Sequence, residues 1–139
     1  MGALTTTINL PPFDKSSWGP GPWQDEPDTK VWEGPHGLKC VILRNSLGNL
    51  CGYVELPEGH PWRDGRDYAP ADVHGGVTFN GTFGDDLGLP GHFVGFDCAH
   101  HMDMVPSMCR PYGKYRDTMF VASHCGSLAC QVAKAEEAN

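Results

Sequence analysis

The chain has no apolar run approaching the roughly 20 residues that a membrane-spanning helix needs, so a transmembrane reading is excluded, and residues 1–10 lack the basic start and long apolar stretch of a signal peptide. Basic residues are scarce. Lys and Arg number 10 against 17 Asp and Glu, a net charge of -7, and no basic stripe is present to neutralise a phosphate backbone, which argues against nucleic acid as a partner. The expected location is cytoplasmic. The nearest basic group, Arg110, Lys114 and Arg116 beside Tyr112 and Tyr115, reads as a grip for a single small anion or as a solvated loop. Cys-x-x-Cys pairs, His-Glu-x-x-His and established nucleophile patterns are also missing, so no motif names a reaction. The six cysteines, Cys40, Cys51, Cys98, Cys109, Cys125 and Cys130, fall mostly inside apolar runs and are expected to be buried thiols rather than disulfides or a zinc site.

What is present suits one domain with one core, since a chain of 139 residues buries roughly two-thirds of its unfolded surface on folding. Gly 18 and Pro 12 predict short elements joined by long connections. Residues 1–35 mix Pro11, Pro12, Pro20, Pro22, Pro27 and Pro35 with Trp18, Trp23 and Trp32, a composition that cannot sustain a helix. It predicts an extended arm lying on a single domain of residues 36–139. Burying a tryptophan is worth roughly 2 to 3 kcal/mol, so the arm should be ordered at those rings or engage a partner through them.

Leu38 to Arg44 and Leu50 to Leu56 are compact apolar runs separated by the turn chemistry of Asn45 to Asn49, which predicts a hairpin. Residues 57–72 read as a long loop carrying His60, Trp62 and Tyr68. Val73, Gly75, Val77 and Phe79 alternate with His74, Gly76 and Thr78, which predicts a third strand with His74 and Thr78 on one face. A turn over Asn80 to Gly91 then leads to a fourth strand, His92 to Cys98, followed by a loop over Ala99 to Asp103. Asp117 is a helix N-cap candidate, and Val121, Cys125, Leu128 and Val132 form one apolar stripe after it, with a tail from Lys134 expected to fray. The fold class is α+β: an antiparallel sheet of about four strands with one C-terminal helix packed on it.

Chemically capable side chains cluster at strand ends in His74-Gly-Gly-Val-Thr-Phe79 and Gly95-Phe-Asp-Cys-Ala-His100. Strand ends hold residues rigidly, glycines let a ligand or backbone approach, and His and Asp serve proton transfer, metal ligation or hydrogen bonding. His74, Asp97 and His100 are expected to converge on one pocket, with Asp103 emerging beside Asp97. His36, His92, His101 and His124 read as surface or cap residues, and His60 before Pro61 as a turn former.

The ordered string Trp18-Gly-Pro-Gly-Pro-Trp23, Cys51-Gly-Tyr-Val54, Gly59-His-Pro61, Val73-His-Gly-Gly-Val-Thr-Phe79, Gly95-Phe-Asp-Cys-Ala-His100 and Tyr115-Arg116 resembles a small-protein family of bacteriophages and prophages. The similarity spans nearly the whole chain. It departs from the family pattern in a short Asn80 to Gly91 connection and in His101-Met102 before Asp103. The resemblance implies context rather than activity: an accessory factor in the host bacterial cytosol, acting on host chemistry such as immune nucleotides.

Three readings follow. The first is a module that sequesters a small polar, nucleotide-like ligand through His60, Trp62, Tyr68, His74, Thr78, Asp97, His100 and Arg116. The second is a hydrolase in which His74, Asp97, His100 and Asp103 ligate a divalent ion such as zinc, or in which Asp97 orients His100 as a metal-free base with Cys98 a remote nucleophile candidate. The third is an inhibitor that binds a host protein through its tryptophan-rich arm.

Overall fold

A computed structural model describes residues 8–64, 71–108 and 113–137. Five antiparallel strands form one sheet: β1 (Thr29–Glu33), β2 (Lys39–Arg44), β3 (Leu50–Leu56), β4 (Phe79–Thr82) and β5 (His92–Asp97). Their spatial order is β1-β2-β3-β5-β4. A single helix, α1 (Thr118–Glu137), packs across β2 and β3. The α+β class holds, with five strands in place of about four.

The additional strand comes from the segment expected to be an extended arm. Thr29–Glu33 pairs with Leu43 to Lys39 in continuous register, and the β-branched Thr29 and Val31 with Trp32 suit a pleated edge. The rest of the arm is ordered by short 3-10 turns at Ser16–Trp18 and Pro22–Gln24. Of its three tryptophans Trp23 is buried, with its ring edge-on to Tyr115 at 5.0 Å and its Nε1–H donating to the Gly19 carbonyl. Trp18 and Trp32 are half-buried.

β2 is apolar on both faces, and the sheet uses both. Cys40 and Ile42 join Leu50, Val54, Leu56, Val94, Phe96 and the stripe Val121, Cys125, Leu128, Ala129 and Val132 in the core beneath α1, the stripe that helical spacing marks in the sequence. Gly52 makes this layer fit, since a Cβ there would stand 2.6 Å from the Phe96 ring and 2.8 Å from the Cys125 sulfur, so only glycine lets strand and helix approach this closely. Val41, Leu43 and Phe93 face the other way with Leu89. Asp117 caps α1 as expected, its side chain accepting the Phe120 N–H at 2.9 Å. The helix does not fray at Lys134; it continues to Glu137.

The strand expected over Val73 to Phe79 is largely absent. Gly75 and Gly76 take φ of +69° and +80°, and Gly76 N–H bonds back to the Val73 carbonyl at 2.8 Å, closing a turn where alternation suggested a strand. Two consecutive left-handed residues break any pleat. Only Phe79 of that run enters β4, which extends instead through Thr82, inside the segment expected to turn. Cys40, Cys51, Cys98 and Cys125 are buried thiols and Cys130 is exposed; Cys109 lies outside the described residues.

Candidate functional site

The turn at Gly75 delivers His74 toward β5 and α1. The Gly75 backbone is covered by the His100 ring, which a Cβ at Gly75 would meet at 2.1 Å, and the His74 and His100 rings lie edge to face with centroids 5.7 Å apart. Each ring has a carboxylate against its Nε2. For His100 it is Asp97, whose Oδ1 lies 3.2 Å away. For His74 it is Asp103, with both oxygens at 3.0 and 2.9 Å.

The two carboxylates differ in setting. Asp97 is 32% exposed, accepting from the Thr78 hydroxyl at 3.1 Å and the Ala99 N–H at 3.1 Å. Asp103 is fully buried and accepts from Arg116 Nε at 2.8 Å, from His74 and from the His100 N–H at 3.0 Å. Burial by itself would raise the Asp103 pKa, but these donors outweigh it and hold the carboxyl below the usual carboxylate range. An anion so held fixes the His74 ring and its proton, the part an orienting carboxylate plays beside a general base.

α1 closes the cluster. Phe120 is edge-on to His74 at 5.0 Å, and the Arg116 guanidinium lies 4.9 Å from the Phe120 ring centre. His124, one turn further along, contacts Phe120, His74 and Phe96 at 4.5, 5.8 and 5.9 Å. Its Nδ1 accepts the His74 backbone N–H at 3.1 Å. Burial, then the nearby His74 and Arg116 charges, holds its pKa below the ordinary imidazole value, against an opposing pull from Asp72.

His74 and His100 therefore meet, with Asp97 beside His100 and Asp103, Thr78 and Arg116 adjoining; the hollows against Phe83, Glu58 and Glu33 are not lined by them. His60 and Trp62 serve elsewhere. Both are buried: His60 bridges the Trp62 N–H at 3.0 Å and the Val132 carbonyl of α1 at 2.8 Å, and the Trp62 carbonyl accepts from Asn80 at 2.9 Å. They lock a loop onto the helix. Tyr68, Arg110 and Tyr112 lie outside the described residues. Cys98 is buried, and burial pushes its thiol pKa up, the opposite of what a nucleophile needs. Phe120 and His124, the latter expected as a surface or cap residue, are the residues of this cluster that sequence reasoning missed; their spacing of four on the flank of the apolar stripe was the one available signal.

A zinc ion would need about three donors turned on one point. Among the described residues no group of three or more His, Cys, Asp or Glu is so arranged, and Asp103 already accepts from Arg116, His74 and a backbone amide. The residues do not fit a metal centre. Hollows of the described residues lie elsewhere, against Phe83, Asp85 and Leu89, against Leu38, Glu58 and Arg63, and against Glu33, Lys39 and Glu55. No helix among the described residues is long and apolar enough to cross a membrane. No protein-family model, curated protein or solved structure matches this chain.

Proposed function

We propose that this protein binds a small polar, nucleotide-like ligand on the face formed by His74, Asp97, His100, Phe120 and His124, as an accessory factor that holds such a ligand away from host chemistry. One observation carries the reading: two imidazoles lie ring to ring at 5.7 Å, each with its Nε2 against a carboxylate. The His74 ring, held by both Asp103 oxygens, binds without first losing rotamer freedom. Asp97 and Thr78 supply a carboxylate and a hydroxyl for ligand hydroxyls or amines, and Phe120 supplies apolar area. The phage-family resemblance accounts for the host-defence context and the bacterial cytosol as the place of action. The buried Trp23 ring is committed to its own fold, so an arm that anchored a host protein would do so through the half-buried Trp18 and Trp32.

The Asp103–His74 pair favours a second reading, metal-free hydrolysis with His74 as the base. The experiment separates the two. Protein incubated with a cellular nucleotide extract, repurified and heat-denatured should release a retained small molecule whose mass matches one present in the starting extract; release of a cleaved product would replace binding by catalysis. Recovery of no molecule in either form would remove both readings. His100→Ala should lose the retained molecule while keeping the far-UV signature of the fold.

A further inference from the structure

His124 has a hydrogen-bonding state that the fold decides. A ring nitrogen that accepts an amide N–H carries no proton of its own, so the bond from the His74 backbone to His124 Nδ1 at 3.1 Å leaves the ring proton on Nε2. The backbone amide donates at every ordinary pH, so the bond holds for as long as Nδ1 carries no proton. Among the described residues Nε2 meets no hydrogen-bond partner, and it is not one of the buried polar atoms lacking one, so it stands open at the site.

The charges around it set what it can read. Arg116 and His74 face it, and Asp72 acts on it from the preceding loop. The Arg116 Nε is committed to Asp103, and Asp97 places an accessible carboxylate beside the neighbouring His100. A phosphate approaching this face meets that carboxylate, with a neutral ring and a partly committed guanidinium to hold it. An uncharged acceptor meets no such repulsion.

Resting on the binding reading above, we infer that His124 is a fixed neutral donor of the site, its Nε2–H reading an uncharged acceptor of the ligand, the carbonyl or ring nitrogen of a nucleobase. His74 complements it. With its Nε2 turned to Asp103, its open nitrogen is Nδ1, so adjacent rings offer a donor and a further polar atom to the same ligand edge.

Nitrogen-15 NMR of the full chain tests this directly. The expected result is His124 protonated at Nε2 alone at about pH 7 and above, with a through-hydrogen-bond coupling between the His74 amide nitrogen and His124 Nδ1. An Nδ1-protonated ring, or an imidazolium across that range, overturns the assignment. Titration with adenosine, guanosine, cytidine and uridine should move the His124 Nε2 resonance for at least one, while inorganic phosphate leaves it in place. His124→Leu should weaken that binding at least about tenfold and His124→Gln, which keeps a side-chain N–H, by less. A response to phosphate alone, no response to any nucleoside, or wild-type affinity in His124→Leu overturns the inference. If the nucleotide-extract experiment still recovers a ligand, only this inference falls; if it recovers none, the binding reading falls with it.

Discussion

Among the described residues two charged side chains of opposite sign are buried, Arg44 and Asp103, and the groups that hold them differ in kind. Arg44 is 1% exposed and its guanidinium is spent entirely inside the fold: on Asp28 at 2.7 Å, the Gly48 carbonyl at 2.8 Å, the Tyr115 hydroxyl at 3.0 Å, Glu26 at 3.2 Å and the Pro27 carbonyl at 3.3 Å. Glu26 in turn accepts the Thr118 N–H that opens α1 and the Tyr115 hydroxyl proton. Asp103 is as deeply buried, and two of its partners, His74 and Arg116, are 17% and 19% exposed, much as Asp28 and Glu26 are at 24% and 12%; what differs is that His74 brings an imidazole. The first cluster is a lock between the N-terminal segment, β2 and the start of α1. The second ends in side chains that can meet a ligand. Partner exposure does not separate the two clusters; the chemistry of the partners does, since an imidazole can donate, accept or carry a proton.

The largest test of this contrast is Arg44→Met, which leaves the Glu26 carboxylate without its cation and Asp28 with Lys15 alone, and should cost about 3 to 5 kcal/mol in denaturant unfolding. Trp23→Ala, beside the same lock, should cost a comparable 3 to 5 kcal/mol; a loss under about 1 kcal/mol would show that the N-terminal segment contributes little to the fold. Asp103→Asn comes next. It weakens charge-assisted bonds to partly exposed partners that can turn to water, so about 2 kcal/mol is expected, together with loss of ligand retention. Asp97→Asn should change stability by under about 0.5 kcal/mol yet also weaken retention, and a variant that unfolds instead would place Asp97 with Arg44 as a structural residue.

Acid titration separates the clusters more finely. The folded-state pKa values of Asp103 and Asp28 are depressed, so near pH 4 the unfolded chain binds more protons; the stability they contribute is present above the unfolded value of about 3.9 and is lost as pH falls through the folded values. For Asp28 burial again acts upward and is outweighed by Lys15 and Arg44. His124 and His92 are likewise held low, burial being the first cause for both. Their contribution is present above about pH 6.5 and declines below it. Melting temperature should therefore fall in two stages, gently below about 6.5 and more steeply below about 4. His124→Gln should shallow the first stage and Asp103→Asn the second; identical curves for both variants and the wild type would remove these groups from the stability of the fold.

The β2–β3 hairpin and the face of α1 were legible because each depends on a local repeat: two apolar runs around Asn45 to Asn49, and a three-to-four spacing of Val121, Cys125, Leu128 and Val132. The same rule misled at Val73 to Phe79, where alternation was real but Gly75 and Gly76 took left-handed conformations that end a strand. It was blind to β1, since proline and tryptophan around Thr29 hid a five-residue strand whose stability comes from pairing with β2.

Local composition determined the class of fold, the buried thiols, the helix cap and the neighbourhood in which His74, Asp97 and His100 would be found, because periodicity and turn chemistry act over a few residues. Tertiary structure alone decided that Asp103 serves His74 across 29 positions, that Arg44 meets Tyr115 across 71, and that His124 receives an amide from a turn 50 residues earlier. Those contacts depend on strand register and on the angle at which a helix lies across a sheet. Both are set by the packing of the whole core, which no short stretch of sequence contains.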